Sequence, residues 1–219
     1  MLGITTEHAY LEKYPIRKSS SKLIIGTIHP HNPQSFKLPF FYGKTCSLWN
    51  ILAKAFPQEL NFPCKLEGVG GILDFLVRRN ISLSDTIIET KYKNNIPSAS
   101  DKNLLPIEFN YKLKEQIKNS NISTIFFTSG FGKNNAFESF YKNILGHKII
   151  TKEIKENRSV TLREEFGRPV NLIVLYSPSG SANRGIAKSK LYKKCKHKYK
   201  GMPKPVAAFK IDYYREYFK

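Results

Sequence analysis

The 219-residue chain has little cysteine, tryptophan or methionine (three, one and two residues), and it is short above all of acidic side chains, with 17 Asp and Glu against 36 Lys and Arg. Cys46, Cys64 and Cys195 are widely spaced and form no CxxC pair and no His-rich neighbourhood. That spacing offers no tetrahedral metal site, and reduced thiols in a cytoplasmic protein are expected. No apolar run approaches the roughly 20 residues that cross a bilayer, and the opening MLGITTEHAYLEKY lacks the charged-then-apolar layout of a secretion signal. Membrane insertion and export are therefore not expected. The HxE and PCxxC elements of a zinc deaminase are also missing.

The chain has positive charge in excess. Its net charge of +19 is well beyond the magnitude of about 2–8 usual for a small soluble domain, and such self-repulsion points to a polyanionic partner. The charge is polarised: from Arg184 onward there are 12 basic and 2 acidic residues, a net +10. The densest part, Lys188–Lys200, alternates lysine with Leu191, Tyr192 and Tyr199, a pattern suited to phosphate contact beside apolar packing. A merely solvated basic tail is the competing reading. At this length folding buries roughly 70–75% of the unfolded surface, enough for an ordinary core. A single domain spanning 1–219 is expected, with a basic C-terminal segment from about 184.

Four short apolar runs read as strands, at 22–25, 85–88, 124–127 and 170–175, and three of them are nearly continuous hydrophobic stretches, as in strands buried on both faces of a parallel sheet. Helical patterns lie at 47–56, 70–79, 107–119, 134–145 and 206–218. The charge-mixed stretch 150–168 fits neither type clearly. Alternating strands and helices predict an α/β fold, a three-layer sandwich with a central four-stranded parallel sheet flanked by helices. In such a sheet the ligand lies outside the carboxyl ends of the strands, so the segments following the strands carry the chemistry. They are Gly26–Pro30, Ser98–Asp101, Thr128–Gly130 and Tyr176–Arg184.

Within these segments His29 can orient water or, protonated, stabilise an anion, and Phe40, Phe41 or Tyr42 can stack on a planar base. A hydrogen-bonded structural histidine and core aromatics are the plainer alternatives. Trp49, Tyr213, Tyr214, Tyr217 and Phe218 read as core.

Taken in order, these segments resemble those of the uracil-DNA glycosylase superfamily, closest in pattern to its single-strand-selective and hypoxanthine-type branches. Thr27-Ile28-His29-Pro30 stands at a first motif of the form G-x-(Asp/Asn)-P, Pro39-Phe-Phe-Tyr-Gly43 at a Pro-Phe-Gly-like element, and Ser177–Gly185 at an H-P-S-P…A-N motif. Asn80–Ile88, Ser98–Asp101 and Ile125–Gly130 resemble the intervening segments. The resemblance spans most of the chain and implies base flipping followed by hydrolysis of the N-glycosidic bond, with no cofactor and no metal. It implies a base pocket of Ile28, Phe41, Tyr42 and Ser129. It also implies a DNA-backbone loop of Ser177, Pro178, Ser179, Ser181, Asn183 and Arg184, extended by Lys188 and Lys190.

The departures matter as much. His29 stands where the superfamily has a water-positioning Asp or Asn, so Asp101 is a second catalytic candidate, since an anion stabilises an oxocarbenium-like state; its alternative is a cap or loop hydrogen bond. Tyr176 or Ser177 replaces a histidine, and Thr128 or Ser129 replaces a base-reading Asn. A hydroxyl discriminates less than an amide, so the expected base is not plain uracil but hypoxanthine or a modified pyrimidine, the latter suiting defence against viruses with modified DNA. The expected protein is a monomeric, cytoplasmic, nucleoid-associated DNA repair or defence enzyme that leaves an abasic site. No lysine falls in a recognisable nucleophile motif. The alternative is a non-catalytic nucleic-acid-binding module that retains the glycosylase fold.

Overall fold

In the computed structural model, Lys22–Gly26 forms strand β2 and Thr124–Phe127 forms strand β6, and from their second residues onward both are fully buried. Such Ile- and Phe-rich runs belong at the centre of a sheet, where both faces are covered. The structure describes residues 3–61 and 67–219, and Cys64 lies outside them. The contacts divide the chain into two units, residues 1–36 with 76–175, and residues 37–75 with 176–219.

The first unit carries two sheets. The larger is five-stranded and mostly parallel, in the order β3 (Ile81–Asp85), β2, β6, β8 (Val170–Val174), β7 (Ser159–Leu162). The β3–β2, β2–β6 and β6–β8 pairs are parallel, and edge strand β7 runs antiparallel to β8. The fold is α/β as expected, but with this fifth strand and a separate antiparallel sheet of β1 (Thr5–Glu7), β4 (Ile87–Tyr92) and β5 (Leu104–Phe109).

Two expectations change here. The run 85–88 is not one strand: β3 ends at Asp85 and β4 begins at Ile87 in the other sheet. Polar serines masked β3, yet it is buried throughout, because Ser82 Oγ pairs with Ser20 Oγ (2.8 Å) and accepts the Arg17 N–H (3.0 Å), while Ser84 Oγ accepts from Asn110 Nδ2 (3.4 Å). The stretch 107–119 is not one helix either, since β5 runs to Phe109 before helix α3 (Lys112–Lys118) begins. The unplaced 150–168 stretch contains helix α5 (Lys152–Asn157), capped by Thr151 Oγ1 accepting from the Ile154 N–H (3.2 Å), and then β7.

One face of the large sheet presents Leu23, Ile25, Ile125, Phe127, Leu172 and Val174 to Leu113 and Ile117 of α3 and to Phe137 and Phe140. The last two lie on α4 (Ala136–Glu138) and on the π-helical turn Ser139–Ile144 that continues it.

In the second unit helix α1 (Ser47–Ala55) packs on helix α8 (Pro205–Phe218), and residues 68–75 of helix α2 (Gly68–Arg78) belong to the same unit. Trp49 is fully buried and its Nε1–H donates to Phe41 O (2.7 Å). Tyr213, Tyr214 and Phe218 are buried as expected. Cys195 is free, but Cys46 is disulfide-bonded. Reduced thiols throughout are thus not what the structure contains, because pairing depends on spatial proximity rather than on CxxC spacing. Among the described residues no helix is long and apolar enough to cross a membrane.

Arg168 ties down the connection from α3 to β6. Its Nη2 donates to Ile117 O (2.9 Å), in the last turn of α3, and to Ser120 O (2.7 Å) and Ile122 O (2.8 Å) in the segment after it. Arg168→Met is expected to destabilise the protein by about 2–3 kcal/mol in urea unfolding, given the worth of hydrogen bonds to a charged group. Unchanged stability would show that water replaces the guanidinium.

Candidate functional site

The chain leaves β2 for β3 on one side and later places β6 on the other, so the order reverses between β2 and β6. The crevice outside the carboxyl ends of those two strands is where an open α/β sheet takes a ligand. Thr27 directly follows β2 and Ser129 lies just past β6. Asp101 meets both.

Asp101 opens a short 3-10 turn, Asp101–Asn103, and it is partly buried. Its side chain does not cap that turn. Thr27 Oγ1 donates to its Oδ2 (3.1 Å), and Thr27 Oγ1 and Ser129 Oγ are 3.2 Å apart. Asn135, oriented so that its carbonyl accepts the Gly130 N–H (3.2 Å), also donates to Asp101 Oδ2 (3.1 Å). Asn134 holds the backbone: its Nδ2 donates to Asp101 O (3.2 Å) and Leu104 O (2.8 Å). Asn134 adopts the left-handed conformation, φ 60°, which Asn tolerates better than most residues. Burial pushes the Asp101 carboxyl up to about 6 from an ordinary 3.8, hydrogen bonds from Thr27 and Ser129 pull it down, and Asp85 nearby adds to the rise. A carboxyl group poised near neutrality can act as a base.

Asp85, the last residue of β3, is 5% exposed. Its Oδ2 lies 2.8 Å from His8 Nε2, and His8 Nδ1 accepts the Tyr10 N–H (3.1 Å), so by inference His8 carries its proton on Nε2 and donates it to Asp85. The His8 and His29 rings meet edge-on with centroids 4.9 Å apart.

His29 is 4% exposed, and both of its nitrogens face backbone groups. Nε2 accepts the Ala9 N–H (2.9 Å), which puts the proton on Nδ1, where it donates to Pro30 O (2.8 Å). Burial is the main cause that lowers its pKa and favours the neutral ring. This geometry gives His29 a positioning role, holding the loop after β2 against the N-terminal segment, whereas Asp101 has the chemistry of a base.

The other expected positions divide between the two units. Ile28 is half-buried against the small cluster of Ile87, Tyr92 and Leu104. The Ser129 hydroxyl accepts the Ala136 N–H (2.6 Å) and belongs to the Asp101 network. Phe41 is 1% exposed, packed edge-on against Phe40, so it is core rather than a stacking surface. Tyr42 is half-buried, with its ring edge-on to Trp49. Gly43 is demanded by packing, since a Cβ there would lie 1.8 Å from Leu38 O.

In the second unit, Ser179 accepts the Ser181 N–H (3.3 Å) and its Oγ pairs with Ser181 Oγ (2.8 Å), shaping a 3-10 turn, Gly180–Ala182, that leads into helix α6 (Asn183–Ala187). Pro178 is buried, Ser177 and Asn183 are half-buried, and Ser181, Arg184, Lys188 and Lys190 are exposed. Helix α7 (Lys190–Cys195) and the turn after it keep Lys193, Lys194, Lys196, Lys198 and Lys200 exposed while burying Tyr192 and Tyr199 against Phe209. The lysines form a surface, and the tyrosines are its support.

Sequence reading missed His8, Asp85, Asn134 and Asn135. Asp85 had a usable signal, the carboxyl end of a strand, but only once β3 is placed at 81–85. His8 had none, because its partner lies 77 residues away. Among the described residues no group of three His, Cys, Asp or Glu side chains is placed to hold a metal ion.

The raised Asp101 pKa carries a stability cost with a definite sign. Above about 6 the folded state must keep an ionised carboxyl that burial disfavours, whereas below 3.8 both folded and unfolded states are protonated and the cost vanishes. Asp101→Asn is therefore expected to be more stable than wild type at pH 8, by on the order of 1–3 kcal/mol, with the gain disappearing towards pH 4. Urea unfolding at the two pH values measures it, and a less stable Asn variant at pH 8 would contradict the assignment. Compared with models of known protein families and with curated proteins, the chain matches none.

Proposed function

We propose that the protein is a monofunctional DNA glycosylase, a hydrolase of N-glycosyl bonds that acts as a monomer on a flipped-out base. The observation that carries the reading is Asp101, a partly buried carboxyl group held by donors from the loops after β2 and β6. Under this reading the large sheet is the middle of a three-layer sandwich with four parallel strands at its centre.

The chemistry needs few parts. As the bond between C1′ and the base nitrogen breaks, its electron pair leaves with the base, and the sugar gains oxocarbenium character that an anion stabilises. Ionised Asp101 supplies that anion and takes a proton from the water whose oxygen bonds to C1′; the departing base takes a proton from solvent and Asp101 returns its own to solvent, leaving free base and an abasic site. Thr27 and Asn135 hold the carboxyl in place, and His29 and His8 hold the loops around it. With the Ser129 hydroxyl engaged and no Asn at that position, uracil is not the preferred base. Buried Asp85, whose Oδ2 accepts from His8, has a second carboxylate oxygen suited to a ring N–H such as that of hypoxanthine, and a modified pyrimidine of viral DNA is the other candidate.

A panel of duplex and single-stranded DNAs containing uracil, hypoxanthine or modified pyrimidines tests this, with released base identified by mass spectrometry and abasic sites by alkaline cleavage. Base release that falls as pH drops through about 6, and that Asp101→Asn slows by roughly 10²–10⁴, is expected. The engaged nitrogens of His29 favour the second reading, a binding module without chemistry. DNA binding with no abasic product would establish that module instead. Efficient excision of uracil alone would overturn the base assignment.

The exposed Arg184 and Lys188 fit phosphate contact. Arg184→Ala and Lys188→Ala should each weaken DNA binding and reduce the slope of log affinity against log salt by about 1, measured by fluorescence anisotropy. An unchanged slope would remove them from the interface.

A further inference from the structure

Lys210, on α8, is 3% exposed. Its Nζ donates to two successive carbonyls of the 177–184 loop, Pro178 O (3.0 Å) and Ser179 O (3.1 Å). No carboxyl group among the described residues pairs with it, and burial alone lowers its pKa from 10.5. A buried ammonium without a counter-ion is costly, and the fold keeps it on the one loop that the basic surface borders in sequence.

The two bonds have a directional consequence. A carbonyl oxygen repels an approaching phosphate, whereas N–H and hydroxyl groups attract it. With the Pro178 and Ser179 oxygens tied to Lys210, the loop keeps both away from an incoming anion, and a positive charge stands behind it. The Ser179 and Ser181 hydroxyls and Arg184 are the groups left to meet that anion.

We propose that Lys210 is a positioning residue that makes the 177–184 loop competent to receive a phosphodiester of the nucleic-acid backbone, with its buried charge completed by the bound phosphate. The proposal rests on the DNA-glycosylase reading for its ligand, though not for its geometry. Lys210 is not a nucleophile here, because its ammonium group is enclosed and donates to two backbone carbonyls.

The test compares wild type with Lys210→Met, which keeps length and bulk but removes donor and charge. In the absence of DNA, hydrogen exchange at Ser179, Ser181 and Ala182 should speed up about tenfold or more in the variant. Binding to a 20-base-pair duplex should weaken about tenfold, while single-turnover base release at saturating DNA stays within about threefold, because the loop binds rather than reacts. Wild-type hydrogen exchange and affinity in Lys210→Met overturn the proposal. If wild type binds no duplex, the glycosylase reading fails and the phosphate role fails with it; if wild type binds and responds to Arg184→Ala but not to Lys210→Met, only this proposal fails. Should Lys210→Met not fold, the wild-type Lys210 ¹⁵Nζ resonance decides: it should shift on addition of duplex, and a resonance unmoved at saturation overturns the role.

Discussion

Keeping one carboxyl group, that of Asp101, away from most of its water is the constraint around which the first unit is arranged. An unpaired buried acid costs several kcal/mol, so each neighbouring segment contributes a donor. Thr27 comes from the end of β2 and Asn135 from the start of α4, while Asn134 fixes the backbone that carries the acid. Removing any of these leaves a polar group without its partner, which explains why hydroxyl and amide side chains cluster where a purely structural loop would need only glycine and proline.

A second layer makes that convergence possible. His29 ties the loop after β2 to Ala9, and His8 ties the N-terminal segment to Asp85 at the end of β3. Neither imidazole needs to react, and both hold the backbone in place through defined tautomers. The second unit uses the opposite sign in the same manner, since buried Lys210 orders the loop at 178–179 through carbonyls. Exposed lysines then surround buried tyrosines on α7 and the turn after it, so positive charge is displayed on a rigid apolar base.

Much of this was legible in the chain where hydrophobicity alone decides structure. Leu23–Ile25, Ile125–Phe127 and the α1 and α8 patterns announce themselves, and Asp101 was singled out, although it lies between β4 and β5 of the antiparallel sheet and not after a strand of the parallel one. The illegible parts share a cause. Ser82 and Ser84 occupy a buried strand only because partners from distant segments satisfy them, so of β3 only Asp85 fell within a strand read from the chain, the run 85–88. His8 and Asn135 have meaning only through Asp85 and Asp101. The stacking role of Phe41 failed for the converse reason, because its ring packs on Phe40, which in turn packs on Trp49, and no local pattern reveals that burial.

The most direct measurement is a site-resolved titration of the Asp101 carboxyl carbon by NMR in the folded protein. The account predicts a midpoint near 6, moving higher in Thr27→Val as a donor to the ionised form is lost. A midpoint at the ordinary 3.8, unchanged by Thr27→Val, would mean that Asp101 is solvated and that the donors around it serve the fold alone.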